Sequence, residues 1–431
     1  MKRILVIAFF FAFSTTIYSQ KDKTIIKGWA SYSQSINVSK KENLEFRVSA
    51  YLRKGKSKSR GKSAIWVRVD KKDNTPGFFQ NDAYNENIIV TEKWQKFEIN
   101  GTIDLGAEDL YFGAFCDDNG DFYFDNFKIE IKSKKGKWNT IEIANFDFEK
   151  KYLNDSWNEG IHKAQIHKTK NFTIEYSKHN PHSGEHSLFI QGKNILGNNE
   201  NGKFVTVNKV KLYYEIYGQG EPLLMLHGNG QSISAFMNQV DEFSKYYKVI
   251  LVDCRGRGNS TFDYKTELTY TLEANDIKLF LDKINISKTH VLGWSDGGII
   301  GLIMAINYPD KIDKLIAIGA NINPDGLKDL KGMFNTISDL EKNNIKDENN
   351  LFISLYKLMA YYPKLKYSDL NTIESSTLIM AGDQDVIKNI HTIKMYEAIK
   401  NSQLAILPNE THFFPEQNPK LFNEIVLKFL K

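Results

Sequence analysis

Five residues, Gly293-Trp294-Ser295-Asp296-Gly297, constrain this chain more than any other stretch. They follow residues 288–292, which read as a buried strand, and precede residues 299–307, which read as a helix. A chain that leaves a strand, turns sharply and enters a helix has no room for side chains two positions either side of the turning residue. Glycine stands at both of those positions. Such a turn holds the Ser295 hydroxyl out of the sheet, beside the amino end of the helix. A nucleophile is exposed there, and a developing anion is stabilised.

Serine is a poor nucleophile without a base. Downstream, Leu378-Ile-Met-Ala-Gly-Asp-Gln-Asp385 is an apolar run ending in an acidic turn, and Leu404-Ala-Ile-Leu-Pro-Asn-Glu-Thr-His412 is another run ending in a histidine loop. The order Ser, Asp, His is the one carried by α/β-hydrolase folds. It casts Ser295 as nucleophile, His412 as general base and then acid, and Asp385 as the group that orients the imidazole. Asp383 is the rival for the last role. Upstream, Leu223-Leu-Met-Leu-His-Gly-Asn-Gly230 is a strand followed by a His-Gly loop. The oxyanion hole is then expected from the backbone amides of Asp296 and Asn229, with Gly230 next in line and His227 structural. A serine between glycines is by itself an ordinary turn, and a lone histidine is usually a packed or surface residue. The case for chemistry is that four features occur in the correct order, each at a strand end.

On these motifs residues 203–431 resemble the α/β-hydrolase superfamily along their whole length. Within it, Gly293-Trp-Ser-Asp-Gly-Gly298, Tyr308-Pro309 and Gly319-Ala-Asn321 look like the valacyclovirase (biphenyl hydrolase-like) group. Val252-Asp-Cys-Arg-Gly-Arg-Gly-Asn-Ser260 occupies the family's Asp-x-Arg-Gly-x-Gly-x-Ser loop, with Arg257 where His is frequent; Leu358-Met359 and Thr411-His-Phe-Phe-Pro415 also fit. The resemblance implies Asp385 rather than Asp383, because relatives place the acid three residues after the glycine that ends this strand. It also implies substrate binding by Asp296, through an ion pair with the α-amino group of an amino-acid ester. The competing reading of Asp296 is an acidic residue favoured at the first turn of a helix.

The rest of this half alternates short apolar runs with helical stretches, which implies a mostly parallel sheet with helices on both faces. Between residues 321 and 368 the strand pattern stops, and a small helical cap is expected over the active site. Leu330, Met333, Phe334, Phe352, Tyr356, Met359 and Tyr362 read as its core.

At the other end, Lys2 and Arg3 precede an apolar run over residues 4–13, followed by small and polar residues up to Ser19. This is the pattern of a signal peptide over residues 1–19, too short to span a bilayer, and it predicts a periplasmic or secreted protein with no transmembrane segment after signal removal. The formal charge is +5, or +3 without Lys2 and Arg3, too mild to argue for nucleic acid. Cys116 and Cys254 are the two cysteines; they fall in different halves, so no disulfide is expected.

Residues 20–196 carry short alternating runs separated by turn residues, the mark of an all-β sandwich. Asp121-Phe-Tyr-Phe-Asp-Asn-Phe-Lys-Ile-Glu-Ile131 resembles the closing strand of a galactose-binding-like jelly roll, the fold of many carbohydrate-binding modules. Asn145-Phe-Asp-Phe-Glu149 and His182-Ser-Gly-Glu-His-Ser-Leu188 resemble its opening strands, yet they come later in the chain. Either one permuted domain or one domain and a partial second would produce that order; a single unit is favoured. Trp29, Trp66, Trp94, Trp138 and Trp157 are candidates for a sugar platform, with core packing as the competing reading. Asp117, Asp118, Asp121 and Asp125 are weighed as calcium ligands and read as a solvated turn, since their spacing is not that of a calcium loop. Arg53–Lys62 is a basic loop, and residues 194–202 are polar and read as the linker.

The fold class expected is therefore multidomain: an N-terminal all-β jelly-roll sandwich, then an α/β-hydrolase domain over 203–431. The function expected is an exported serine hydrolase acting on small carboxylic esters, with no cofactor and no metal. An amidase or aminopeptidase, a C–C hydrolase and a perhydrolase use the same three residues and remain open. A non-catalytic glycan-binding protein with a vestigial hydrolase domain is the reading from another class. A carbohydrate is the candidate ligand of the β domain.

Overall fold

The computed structural model describes residues 28–431 except 40, 42, 57–60, 73–75, 85–87, 151–155, 161–170, 198–200 and 343–350. The expected signal peptide and the tip of the Arg53–Lys62 loop lie outside the described residues. The chain is multidomain: a strand-rich N-terminal half and a C-terminal half in which a mostly parallel sheet alternates with helices. Among the described residues no helix is long and apolar enough to cross a membrane.

The C-terminal half is built on one eight-stranded sheet. Its spatial order is Lys203–Val207, Val210–Tyr217, Tyr247–Val252, Glu221–Leu226, Thr289–Trp294, Ile312–Ile318, Ser376–Gly382 and Ser402–Leu407. The first two strands pair antiparallel as a leading hairpin, and the rest run parallel from Tyr247–Val252 onward. The central strands are apolar throughout because both faces are covered. On one face lie the helices Tyr270–Lys283 and Asp296–Asn307, and on the other the helix Pro419–Leu430. Helices Leu330–Lys342, Leu351–Tyr361 and Tyr367–Leu370 fill the stretch where a cap is expected.

The N-terminal half holds two antiparallel sheets. One has the order Pro76–Asn81, Lys62–Lys71, Ala107–Asp117, Trp29–Asn37, Asn158–Glu159. The other runs Phe172–Ser177, Ser187–Gly192, Gly120–Lys132, Glu45–Lys54, Gln95–Thr102, with Trp138–Ile141 also on Gly120–Lys132. Their inner faces share one core, in which Val67 and Phe112 of the first sheet meet Phe46, Phe124 and Ile129 of the second, a packing consistent with a β sandwich. Of the two segments that resemble opening strands, 145–149 forms a turn, while the end of 182–188 enters the strand Ser187–Gly192, which pairs with Gly120–Lys132 and sends Leu188 and Ile190 into the same core.

Trp29–Asn37 is a strand that alternation does not reveal, because Ser31, Ser33 and Gln34 are buried along with Ala30 and Tyr32. Each polar side chain has a partner. The Ser31 hydroxyl donates to the Ala114 carbonyl and accepts from the Trp66 indole, Ser33 donates to the Gly160 carbonyl, and Gln34 donates to the Ala144 carbonyl. The two cysteines are buried and free. Of the five tryptophans weighed as a platform, Trp66 and Trp157 are core residues. The four aspartates accept separate hydrogen bonds: Asp117 from the Lys62 amide, Asp118 from Asn119, Asp121 from Gln191, and Asp125 from the amides of Asn126, His182 and Ser183.

The segment joining the halves is not a loose tether. Ile195 and Leu196 are buried, and Leu196 joins the core of the hydrolase half beside Phe236. Asn119 of the sandwich holds Ile195 by both its amide and its carbonyl, at 2.9 and 2.8 Å. On the other side the Gly197 amide donates to Glu215 at 2.9 Å, and the Gly197 carbonyl accepts from Asn259. The polar composition that marks a linker hides two apolar anchors.

Candidate active site

The turn at Ser295 is as tight as the glycines demand. A Cβ on Gly293 would overlap the Gly297 carbonyl, and one on Gly297 would overlap the Leu226 carbonyl of the neighbouring strand. Ser295 sits at φ 56°, ψ −117°, a conformation rarely adopted by a residue with a side chain. Strain of this kind costs about 1–3 kcal/mol and persists only where the surroundings enforce it. Here the Ser295 amide donates to the Ile318 carbonyl at 2.7 Å, and the Ser295 carbonyl accepts from Ile299 in the first helical turn.

The other expected residues converge on this turn. His412 Nδ1 lies 2.7 Å from Asp385 Oδ1, with the Asp385 side chain almost wholly buried. The Ile387 amide also donates to Asp385 Oδ1, at 3.0 Å, which fixes the carboxylate plane. Asp383 makes no such contact; its backbone is tied to Leu407 and Asn389 instead. The loop after strand Ile312–Ile318 passes directly beneath the pair. At Gly319, φ +56°, a Cβ would lie 2.8 Å from His412 Nδ1 and 3.1 Å from Asp385 Oδ2. The Trp294 indole donates to the His412 carbonyl at 3.0 Å, so the residue before the nucleophile holds the histidine loop in place.

The His-Gly loop meets the turn from the other side. Gly228 packs against Ser295, where a Cβ would come within 3.1 Å of the serine Cβ, and its amide donates to Gln231 at 2.8 Å. His227 is fully buried. Its Nδ1 faces the Gly228 carbonyl at 2.8 Å, and its Nε2 accepts from the Cys254 amide at 3.0 Å. That pairing requires the neutral tautomer, and burial with the nearby Arg257 charge pushes its pKa down to about 3. It orders the loop as a neutral group.

Asp296 and Asn229 are joined to each other. The Asn229 side-chain amide donates to Asp296 Oδ2 at 2.9 Å and to the Leu355 carbonyl of helix Leu351–Tyr361 at 3.2 Å. Tyr270 donates to Asp296 Oδ1 at 2.7 Å. The Asp296 carboxylate is 2% exposed and turned into the protein. Its oxygens serve interior donors, and burial raises its pKa. Its backbone amide belongs to the first helical turn, where amides lack a helical acceptor.

Beneath the site lies a charged layer that the sequence did not flag. Arg257, at the position where relatives often carry His, pairs with Glu273 at 2.6 Å, and Arg255 is bidentate to Asp276 at 2.7 and 2.8 Å; all four are buried. Burial pushes the Glu273 carboxyl up to about 7, with Arg257 pulling the other way. Tyr270, Glu273 and Asp276 share the buried face of one helix at a spacing of three, which is the signal that was available.

The C-terminal half is similar to known proteins. Residues 221–344 match the family model for the alpha/beta hydrolase fold. A 2-hydroxy-6-oxononadienedioate/2-hydroxy-6-oxononatrienedioate hydrolase of Pseudomonas putida is 26% identical over 277 residues, 54% of this chain and 97% of that protein. A 2-hydroxy-6-oxo-6-phenylhexa-2,4-dienoate hydrolase of Burkholderia cepacia is 25% identical over 280 residues, 54% of this chain and 98% of that one. The crystal structure of a hydrolase from Pseudomonas aeruginosa PA01 superposes with a TM-score of 0.46 at 19% identity, covering 54% of this chain and 99% of that one. The C-terminal half of this chain is an α/β-hydrolase-fold domain with hydrolase homologues along its length.

Proposed function

We propose that the protein is a serine hydrolase that cleaves carboxylic esters through Ser295, His412 and Asp385. The observation that carries this reading is the strained Ser295 turn with the His412–Asp385 pair beside it. His412 takes the proton as Ser295 Oγ bonds to the ester carbonyl carbon. The carbonyl oxygen becomes an oxyanion facing the amides of Asp296 and Asn229. His412 then returns the proton to the leaving alkoxide as the C–O bond breaks. Water repeats the sequence on the acyl-enzyme and frees the acid. The buried carboxylate of Asp296 argues against valacyclovirase-like preference for amino-acid esters. The signal-like N-terminus supports an exported enzyme, and the antiparallel sandwich supports a jelly-roll module.

Carbon–carbon bond hydrolysis by the same residues fits equally well, and two relatives are named for 2-hydroxy-6-oxo substrates. The test offers wild type and Ser295→Ala both p-nitrophenyl acetate and 2-hydroxy-6-oxo-6-phenylhexa-2,4-dienoate. Serine-dependent release of p-nitrophenol with no bleaching of the dienoate supports the ester reading. Serine-dependent bleaching without p-nitrophenol release moves the assignment to C–C hydrolysis. Turnover of neither by a folded wild type sinks the catalytic reading.

A further inference from the structure

The two halves enclose a cleft of about 1320 Å³. One wall is the start of the sandwich at Gly28 and Trp29; the other is the hydrolase loop 230–238 together with residues 416–427. The doubly anchored segment at Ile195 and Gly197 fixes these walls relative to each other. Gly28 itself packs on Ile195 and Met237, one residue from each side of the junction.

The cleft adjoins the proposed chemistry. Gln231, in its wall, accepts from the amide of Gly228, which packs against Ser295. Gln417, in the same wall, accepts from the hydroxyl of Thr411, the neighbour of His412.

Its lining has a defined chemistry. Trp29 is backed by Phe115, with ring centroids 5.7 Å apart and planes 23° apart, so its indole is held rigid at the rim. Uncharged hydrogen-bonding side chains follow: Gln231, Ser232, Asn238, Gln417 and Asn423. Asn423 is 9% exposed; its amide nitrogen donates to the Asn238 carbonyl, while its Oδ1 has no hydrogen-bond partner among the described residues. The ionic groups are Asp241, Glu242, Glu416 and Glu424 against Lys245 and Lys420, a net acidic lining in a chain of formal charge +5. Glu416 keeps accessible surface within the cleft, yet burial among its surroundings raises its carboxyl. Such a lining repels carboxylate-bearing substrates. It suits a neutral molecule rich in hydroxyl donors with a face that stacks on indole.

We infer that this cleft is the subsite for a sugar, the polyhydroxylated alcohol part of an acylated carbohydrate whose ester is presented to Ser295. The inference rests on the ester-hydrolase reading and narrows its substrate class. The sandwich then contributes Trp29 to the substrate site of the hydrolase half instead of acting as a remote tether.

The test compares wild type, Trp29→Ala and Asn238→Trp on a partially acetylated xylo-oligosaccharide and on p-nitrophenyl acetate. Asn238→Trp fills the cleft from the hydrolase wall and leaves the Trp29 packing intact. The expected result is a loss of roughly tenfold or more in kcat/KM on the sugar ester in both variants, with p-nitrophenyl acetate turnover unchanged. Variants that treat the two esters alike overturn the inference, as does a wild type that turns over p-nitrophenyl acetate but not the sugar ester. If wild type cleaves neither ester, the catalytic reading falls on its own, and calorimetric titration with deacetylated xylotetraose judges the cleft. Binding lost in both variants upholds the site, and no binding to wild type refutes it.

Discussion

Arg257 and Glu273 offer the sharpest energetic test of this fold. Their side chains are each 1% exposed and lie 2.6 Å apart beneath the elbow helix. Removing one partner leaves the other charge buried without its counterion, which costs about 3–5 kcal/mol, whereas exchanging both for apolar residues of similar volume is often neutral or stabilising. Arg257→Met and Glu273→Leu should each destabilise by that amount at pH 8, where the carboxylate is ionised. In a domain of this size that is a fall of about 6–20 °C in Tm. The double variant should recover most of the loss. The assay is differential scanning calorimetry, following the transition of the hydrolase half, with the three variants closing a double-mutant cycle. Single variants within about 1 kcal/mol of wild type, or a double variant at the sum of the singles, would refute the pairing.

Other outcomes follow from the same geometry. Asp385→Asn should lower kcat on the order of 10⁴-fold, because the amide no longer holds the required imidazole tautomer, while Asp383→Asn should stay near wild type; steady-state turnover of p-nitrophenyl acetate decides. Ser295→Gly should abolish turnover yet stabilise the fold by about 1–3 kcal/mol, since glycine accepts φ 56° without strain, and thermal denaturation reads the gain. The raised carboxyl of Glu273 means that the folded state holds a proton which the unfolded state releases between its ordinary value of 4.5 and about 7. The contribution of this group to stability is therefore greatest at the acid end and is lost as pH rises through that window, a slope that Glu273→Leu should remove in urea titrations. Tyr270→Phe strips one donor from the buried Asp296 carboxylate and should cost about 1.5–3 kcal/mol of stability in the same titrations.

The hydrolase half was legible because its signals are local. Gly293 and Gly297 exclude side chains from a turn, and the central strands are buried on both faces, so their apolar runs are uninterrupted. The strand Trp29–Asn37 was hidden because its serines are satisfied by long-range partners 83 and 127 residues away, which no window of sequence displays. The same limit applies to Asp296. Its first-turn position reads equally as a substrate contact or as a helix-terminal acid, and only Tyr270 and Asn229, brought in from elsewhere, turn it inward. Asp383 and Asp385 lie two residues apart in one turn; the direction of the His412 ring separates them, and that is a property of the assembled sheet. The anchoring within the junction was hidden for a different reason. Two apolar residues among many polar ones carry too little periodicity to register, although they are what the two halves close upon.

The most direct measurement is intact-mass analysis after treatment with a fluorophosphonate, followed by peptide mapping, for wild type and Ser295→Ala. The account predicts one phosphonyl adduct per chain, mapped to Ser295 and absent from the variant. A folded wild type that takes no adduct, or takes it on another residue in both proteins, would contradict the assignment of Ser295 as the nucleophile.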